Sequence, residues 1–187
     1  GFMGIGKYCI EDKRVYVLWT SMLTRAYCEI YEKRQPRYKD VTVCEEWHNF
    51  QSFAKWCHSQ DFFNIKDKNG KRYEIDKDIL VKGNKIYSPE TCCFVPSEIN
   101  CLFIRNKRFR GKYPIGVTKV GKYFTARLSK GFGNRVLLGT FKTELEAFSA
   151  YKKAKEVYMK ELANEYSTSI CRKTYSALMK YEVSIDD

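Results

Sequence analysis

Basic and hydroxyl side chains occupy one face of a predicted β-strand in the C-terminal third of the chain. The strand runs from Lys122 to Lys130, and its alternating pattern directs Thr125, Arg127 and Ser129 to the face opposite the apolar residues. Arginine can pair with guanine through two hydrogen bonds, hydroxyls can bond to base edges, and lysine can hold phosphates. The pattern therefore predicts contact with the major groove of double-stranded DNA. The residues of this region that we predict to contact DNA are Lys119, Lys122, Thr125, Arg127, Ser129, Lys130 and Arg135.

Two further strands and a helix would present this face. The strands run from Gly116 to Val120 and from Arg135 to Phe141, and glycine-containing turns join the three strands. Thr143 and Glu146 then form a capping-box pattern, which begins a long helix reaching about Glu165. The apolar stripe of this helix should cover one side of the sheet, so we expect the basic side to stay free.

Five segments of this region match a known family in order, spacing and residue type: Gly116-Val117, Phe124-x-Ala126-x-Leu128, Leu138-Gly139-Thr140-Phe141, Thr143-Glu-Leu-Glu-Ala147 and Ala150-Tyr151. They resemble the APETALA/ethylene-response-factor DNA-binding domain over about residues 113–166. The resemblance implies that DNA is contacted through the sheet rather than through a helix. This chain departs from the plant members at Leu137, where they tend to carry a groove-facing Trp, and at Thr118, where they carry Arg. The resemblance therefore implies no particular base preference.

The N-terminal part is predicted to be a mixture of helices and short strands. Aromatic residues at helical spacing indicate two helices that share a core. Short apolar runs with turn residues between them indicate a β-hairpin, then a strand that leads into a short helix. The predicted elements are helices 16–31 and 44–58, hairpin strands 73–81 and 85–87, strand 91–95 and helix 97–104.

Five pieces of this part point to a second family: Trp19-x-x-Met22-Leu23-x-Arg25, Val43-Cys-Glu-Glu-Trp47-x-x-Phe50-x-x-Phe53, Ile75-Asp76-Lys-Asp78, Tyr87-Ser-Pro89-x-x-Cys92 and Asn100. They look like those of phage-encoded HNH-type endonucleases. The resemblance implies a hairpin and helix that grip one divalent cation such as Mg²⁺. Asp76 and Asn100 fall where metal ligands would, and Asp78 is a further candidate ligand.

The general base of such a nuclease does not follow from the motif. Lys77 stands where the first His is expected, and Thr91 stands where the middle Asn is expected. A lysine with an ordinary pKa near 10.4 is protonated at neutral pH, so it cannot accept a proton from water. Lys77 could still clamp the scissile phosphate, and His48 is the other candidate base.

Two hypotheses of different classes follow. In the first, the chain binds DNA with a degenerate nuclease-like module, as a protein of phage or mobile-element origin. In the second, it is a divalent-metal-dependent DNA endonuclease. RNA binding is a weaker alternative, because Phe124 and Phe141 fall on the predicted buried side of the sheet instead of forming an exposed stacking platform.

The charge of the chain agrees with a nucleic-acid partner. The formal net charge is +12, and such a surplus favours a polyanion whose counterions are released on binding. The segment 105–112 holds much of this charge without apolar periodicity, so we predict a basic linker there. Its predicted DNA contacts are Lys107, Arg108 and Arg110.

The predicted fold class is α+β. It combines N-terminal helices and a ββα hairpin-helix module with a three-stranded antiparallel sheet packed on one long helix. The expected organisation is a nuclease-like module at 1–104, the linker at 105–112, the DNA-binding domain at 113–166 and a C-terminal tail at 167–187.

The remaining expectations concern cofactors and location. The eight cysteines contain no C-x-x-C pair, so we expect reduced thiols and no zinc site. No apolar run is long enough to cross a membrane, and the first residues lack a secretory pattern. We therefore expect no membrane partner and a cytoplasmic, nucleoid-associated protein of a bacterial host.

Overall fold

The computed structural model describes residues 1–103, 112–131 and 133–187. Within them the chain forms two compact units, Gly1–Pro96 and Ser97–Asp187. The predicted α+β class is confirmed, with a three-stranded antiparallel sheet packed on one long helix. Much of the predicted basic linker lies outside the described residues.

The first unit contains three α-helices and four short strands among the described residues. The helices are α1 (Lys13–Tyr27), α2 (Glu29–Arg34) and α3 (Phe50–Ser59). The strands are β1 (Thr42–Val43), β2 (Glu74–Asp76), β3 (Ile86–Tyr87) and β4 (Cys93–Val95). Two 3₁₀ turns, Pro36–Tyr38 and Glu45–His48, lie between these elements.

Helices α1 and α3 build the core of this unit, as the aromatic spacing predicts. Trp19 packs edge-on against Phe50, with ring centroids 5.4 Å apart. Its indole N–H donates to the carbonyl oxygen of Trp47 at 2.7 Å, which satisfies a polar group inside an apolar core. Asn49 caps the first turn of α3 by accepting from the backbone N–H of Gln51.

The predicted helix 16–31 is divided in two. The backbone of Cys28 is extended, so α1 ends at Tyr27 and α2 begins at Glu29. None of the residues of α2 is buried. The apolar period that predicts one long helix therefore does not correspond to one continuous buried face.

The predicted hairpin between 73–81 and 85–87 is wrong in its pairing. Strand β2 pairs antiparallel with β4, and β3 pairs in parallel with β1. The physical reason lies after Asp76, whose carboxylate accepts the backbone N–H groups of Asp78 and Ile79 at 2.7 and 2.8 Å. This turn ends the strand, so the following residues cannot continue a ladder.

The second unit is built on a sheet of β5 (Val117–Val120), β6 (Tyr123–Ser129) and β7 (Arg135–Phe141) in the order β5-β6-β7. Its helices are α4 (Ser97–Leu102), α5 (Glu144–Glu165) and α6 (Arg172–Met179). Helix α5 begins with the predicted capping box, in which Thr143 and Glu146 satisfy each other's backbone N–H groups.

Helix α4, which the sequence places with the nuclease-like module, is held against α5. The hydroxyls of Tyr158 and Tyr166 donate to the two carboxylate oxygens of Glu98 at 3.2 and 3.1 Å. Lys155, which is buried, donates to the carbonyl oxygen of Leu102 at 3.0 Å. These polar contacts assign α4 to the second unit.

The C-terminal tail is also part of the second unit. Leu178 of α6 is buried, and Lys152 of α5 donates to the carbonyl oxygen of Val183 at 2.7 Å. The backbone N–H of Val183 donates in turn to Glu156 of α5 at 2.8 Å. The last residues therefore pack on the long helix.

Candidate nucleic-acid interface

The register of the three-stranded sheet decides which side chains share a face. Ala126 lies opposite Val117 and Gly139, and all three belong to the side that α5 covers. Gly116, just before β5, has φ +79°, and a Cβ there would lie 2.0 Å from the ring of Tyr151 on α5. Only glycine permits both this conformation and this close approach of strand and helix.

On the opposite face, no helix among the described residues of the second unit covers the predicted basic residues Arg127 and Arg135. Arg127 and Ser129 of β6 are exposed, whereas Ala126 and Leu128 between them are buried. Arg127 lies opposite Leu137, and Ser129 lies opposite Arg135. The alternation read from the sequence thus correctly separates the two faces of β6. We call this surface the free sheet face.

Arg127 and Arg135 lack acidic partners among the residues that the structure describes. Across residues 1–103, 112–131 and 133–187, no carboxylate forms an ion pair with either guanidinium. Two unneutralised guanidinium groups on a flat surface create a positive potential and leave their hydrogen-bond donors available.

A rung of three threonines crosses the centre of the free sheet face. Thr125 lies opposite both Thr118 and Thr140. Thr125 is buried, and its hydroxyl donates to the carbonyl oxygen of Thr118 at 3.2 Å. The predicted contact residue Thr125 therefore has its hydroxyl hydrogen engaged within the sheet, whereas Thr118 and Thr140 are exposed.

Two of the predicted lysines do not lie on the free sheet face. Lys119 pairs opposite Phe124, and its ammonium lies 5.7 Å from the centroid of that ring, on the helix-covered side. Lys130 lies 4.6 Å from the ring centroid of Tyr158 on α5. The prediction that both lysines lie on the basic face is therefore wrong. The pairing register places Lys119 on the side that α5 covers, and Lys130 lies against a ring of α5.

Lys122 lies in the two-residue turn between β5 and β6. Gly121 before it has φ +60°, as a tight hairpin turn beginning with glycine requires. The ammonium of Lys122 lies 5.4 Å above the ring of Tyr123, at the end of the free sheet face.

Three apolar side chains on the free sheet face were not among the predicted contacts. They are Val120, Tyr123 and Leu137, with exposed fractions of 54%, 41% and 57%. Val120 and Tyr123 lie opposite each other at the turn end of the hairpin. The alternation that identified Arg127 also places Tyr123 on this face, so the signal was present in the sequence.

Asp76, the predicted metal ligand, lies in the first unit at the end of β2. Its carboxylate accepts two backbone hydrogen bonds in the turn after the strand. Burial, together with repulsion from Asp78, raises the pKa of Asp76 to about 6 despite these bonds. Asn100 is half-buried in α4 and belongs to the second unit.

The predicted phosphate clamp and candidate base are already engaged. Lys77 is buried, with its ammonium donating to the carboxylate of Asp78 and, at 3.2 Å, to the carbonyl oxygen of Asn84. In His48, Nε2 lies 2.8 Å from the hydroxyl of Tyr27, and Nδ1 lies 3.4 Å from the carboxylate of Glu45. Both side chains serve contacts within the first unit in this conformation.

A metal centre has no cluster to support it in the part of the chain that is described. No group of three or more His, Cys, Asp or Glu side chains is placed there to hold a metal ion. The predicted DNA contacts Lys107, Arg108 and Arg110 lie outside the described residues.

In comparisons with known proteins, the chain matches no protein family, no curated protein and no solved structure. Within the described ranges, none of the helices combines the length and the apolar character that crossing a bilayer requires.

Proposed function

We propose that the chain is a double-stranded DNA-binding protein whose free sheet face contacts the major groove. The observation that carries this proposal is the pair of exposed arginines, Arg127 and Arg135, on an uncovered sheet with no acidic partner in the described ranges. The net charge of +12 supports the same class of partner.

The dimensions of β6 agree with base readout. Residues Arg127 and Ser129 are two positions apart on one face, so their Cα atoms are separated by about 6.8 Å along the strand. Two base-pair steps of B-DNA rise by about the same distance, at about 3.4 Å each. Successive side chains of the face can therefore meet base pairs that are two steps apart.

A binding measurement with selected sequences tests the proposal. A preferred duplex is selected from a random pool, and its affinity is measured by fluorescence anisotropy for wild type, Arg127→Ala and Arg135→Ala. Loss of a bidentate guanine contact costs about 1–3 kcal/mol, which is roughly a 5- to 150-fold weaker Kd on the preferred site.

Arg172→Ala provides the matched control. Arg172 is exposed on α6 in the same unit, and its replacement by alanine removes the same charge. It should weaken binding far less than Arg127→Ala. If all three variants lose the same affinity for every duplex, the sheet contributes only general positive charge. If the wild-type protein binds no duplex at low salt, the proposal is overturned.

A metal-dependent endonuclease is the second candidate, and one observation favours it. A half-buried carboxyl whose pKa is raised, as at Asp76, is typical of functional sites. Lys77 and His48 are both engaged, so we rank cleavage below binding. A plasmid-nicking assay with Mg²⁺ or Mn²⁺ decides between them, since cleavage that Asp76→Ala abolishes would establish the enzyme.

A further inference from the structure

An open cavity of about 190 Å³ lies in the first unit, and its lining includes Arg25 but none of the predicted catalytic and metal-binding residues Asp76, Lys77 and His48. Its lining comes from one side of the last turns of α1 and from Tyr31 at the start of α2. Every lining side chain carries a hydroxyl or a guanidinium: Thr20, Ser21, Thr24, Arg25 and Tyr31. The cavity is therefore rich in hydrogen-bond donors and holds a positive charge.

Arg25 is half-buried, and its guanidinium is held by contacts with tyrosines. Its Nη1 lies 3.5 Å from the hydroxyl of Tyr87, and its guanidinium carbon lies 5.7 Å from the ring centroid of Tyr38. No carboxylate in the described ranges forms an ion pair with it. Partial burial of a cation is unfavourable unless an anion or a set of acceptors compensates for it.

The hydroxyls around Arg25 are largely unused. Thr20 donates to the carbonyl oxygen of Tyr16 at 2.9 Å, so its hydrogen is engaged. The hydroxyls of Ser21, Thr24 and Tyr31 form no hydrogen bond with any residue in the described ranges. Three hydroxyl donors and a guanidinium thus surround one volume.

We propose that this cavity binds a phosphate group. A guanidinium presents parallel N–H donors that match two phosphate oxygens, and the hydroxyls can donate to the remaining ones. Aromatic contacts on Arg25 restrict its conformations, so less entropy is lost on binding. The group is either a phosphodiester of a nucleic-acid backbone or the terminal phosphate of a small molecule, and the site is independent of the free sheet face.

The test uses the full chain labelled with ¹⁵N on arginine side chains. The Arg25 Nε–H signal is followed by NMR during titration with inorganic phosphate, with the phosphodiester dinucleotide TpT and with acetate at equal ionic strength. We expect saturable shifts with phosphate or TpT and none with acetate. Saturation by TpT assigns the site to nucleic-acid backbone, and saturation by inorganic phosphate alone assigns it to a terminal phosphate.

Variants separate the cavity from general charge. Arg25→Gln should weaken binding of the effective probe at least tenfold. Arg34→Gln removes the same charge from an exposed position on α2 and should leave the Kd within twofold. Because Arg25→Gln could disturb the packing of Tyr38, a second variant keeps the arginine. Ser21→Ala with Thr24→Val removes two hydroxyls on the surface of α1 and should weaken binding about three- to tenfold.

Two results would overturn the proposal. One is an Arg25 signal that shifts equally with phosphate, TpT and acetate, or with none of them. The other is equal weakening by Arg25→Gln and Arg34→Gln, which would assign binding to the overall positive charge.

Discussion

Leu137 should read a thymine methyl group next to the base pair that Arg127 contacts. The side chain is 57% exposed and lies directly opposite Arg127 on the free sheet face. Cross-strand neighbours have Cβ atoms about 5 Å apart, so the two side chains meet the same or adjacent base pairs. In the major groove, only thymine offers a methyl group to an apolar side chain. This prediction rests on the proposed DNA-binding function.

The magnitude follows from apolar burial. Removing one buried methyl group costs about 0.8 kcal/mol, so replacing the contacted thymine by deoxyuridine should weaken Kd about fourfold. Full burial of a leucine side chain contributes about 1.5–3 kcal/mol, and somewhat more than half of Leu137 remains to be buried. Leu137→Ala should therefore cost about 1–2 kcal/mol on the thymine-containing site.

The assay is a double-mutant cycle between protein and DNA. Each thymine of the selected duplex is replaced in turn by deoxyuridine, and Kd is measured for wild type and Leu137→Ala. We expect one position with a fourfold effect in wild type and no effect in the variant. Leu145→Ala is the control, because Leu145 is 66% exposed on α5 and lies outside the sheet.

Two outcomes have different meanings. If duplex binding is tight but deoxyuridine is tolerated at every position, or weakens both proteins equally, the role of Leu137 is refuted while DNA binding stands. If no duplex binds, the proposed function itself fails.

Three further predictions concern the stability of the fold and the basic linker. Gly116→Ala should destabilise the fold by at least about 2 kcal/mol in urea unfolding, because it combines a positive φ with overlap against an aromatic ring. Gly121→Ala, with a positive φ but open space around it, should cost about 1–2 kcal/mol. The pKa of Asp76 is about 6 in the folded state, above the ordinary value of 3.8. Between these two pH values the folded state binds more protons than the unfolded state, so the free energy of unfolding falls as pH rises through this window. Asp76→Asn should remove that fall, by up to about 3 kcal/mol at pH 7, as measured by unfolding from pH 4 to 8. Replacing Lys107 and Arg108 by Gln should weaken binding to every duplex and lower the slope of log K against log salt by up to about 1.8.

Each of these predictions has a contradicting result. Equal destabilisation by the two glycine variants would remove the steric argument at the strand–helix contact. Wild-type stability that does not change between pH 4 and 6 would mean that the Asp76 carboxyl titrates normally. An unchanged salt slope would exclude the two basic residues from phosphate contact.

The local patterns of the second unit were sufficient to predict much of its fold. The period-two alternation in β6 separates buried Ala126 and Leu128 from exposed Arg127 and Ser129. The capping box at Thr143 marks the start of α5 because its hydrogen bonds involve only residues three positions apart. Such features depend on neighbouring residues, which a sequence displays directly.

Strand pairing in the first unit could not be obtained in this way. Strands of two or three residues carry too few side chains to specify a partner. The sequence therefore predicts that β2 pairs with β3, the next strand in the chain, whereas its partner is β4. The candidate catalytic residues illustrate the same limit. Lys77 and His48 are identifiable as residue types, but their contacts with Asn84 and Tyr27 depend on how the chain folds back.

The sequence alone determined the charge of the chain, the α+β class, the capped helix and the alternation that exposes Arg127. These properties arise from composition and from contacts between residues close in the chain. The tertiary structure alone decided that Lys119 and Lys130 leave the free sheet face, that α4 packs on α5, and that Arg25 faces a cavity lined by hydroxyls. Each of these depends on register or on packing between distant segments, and the free energy that selects them is spread over many contacts that no short stretch of sequence contains.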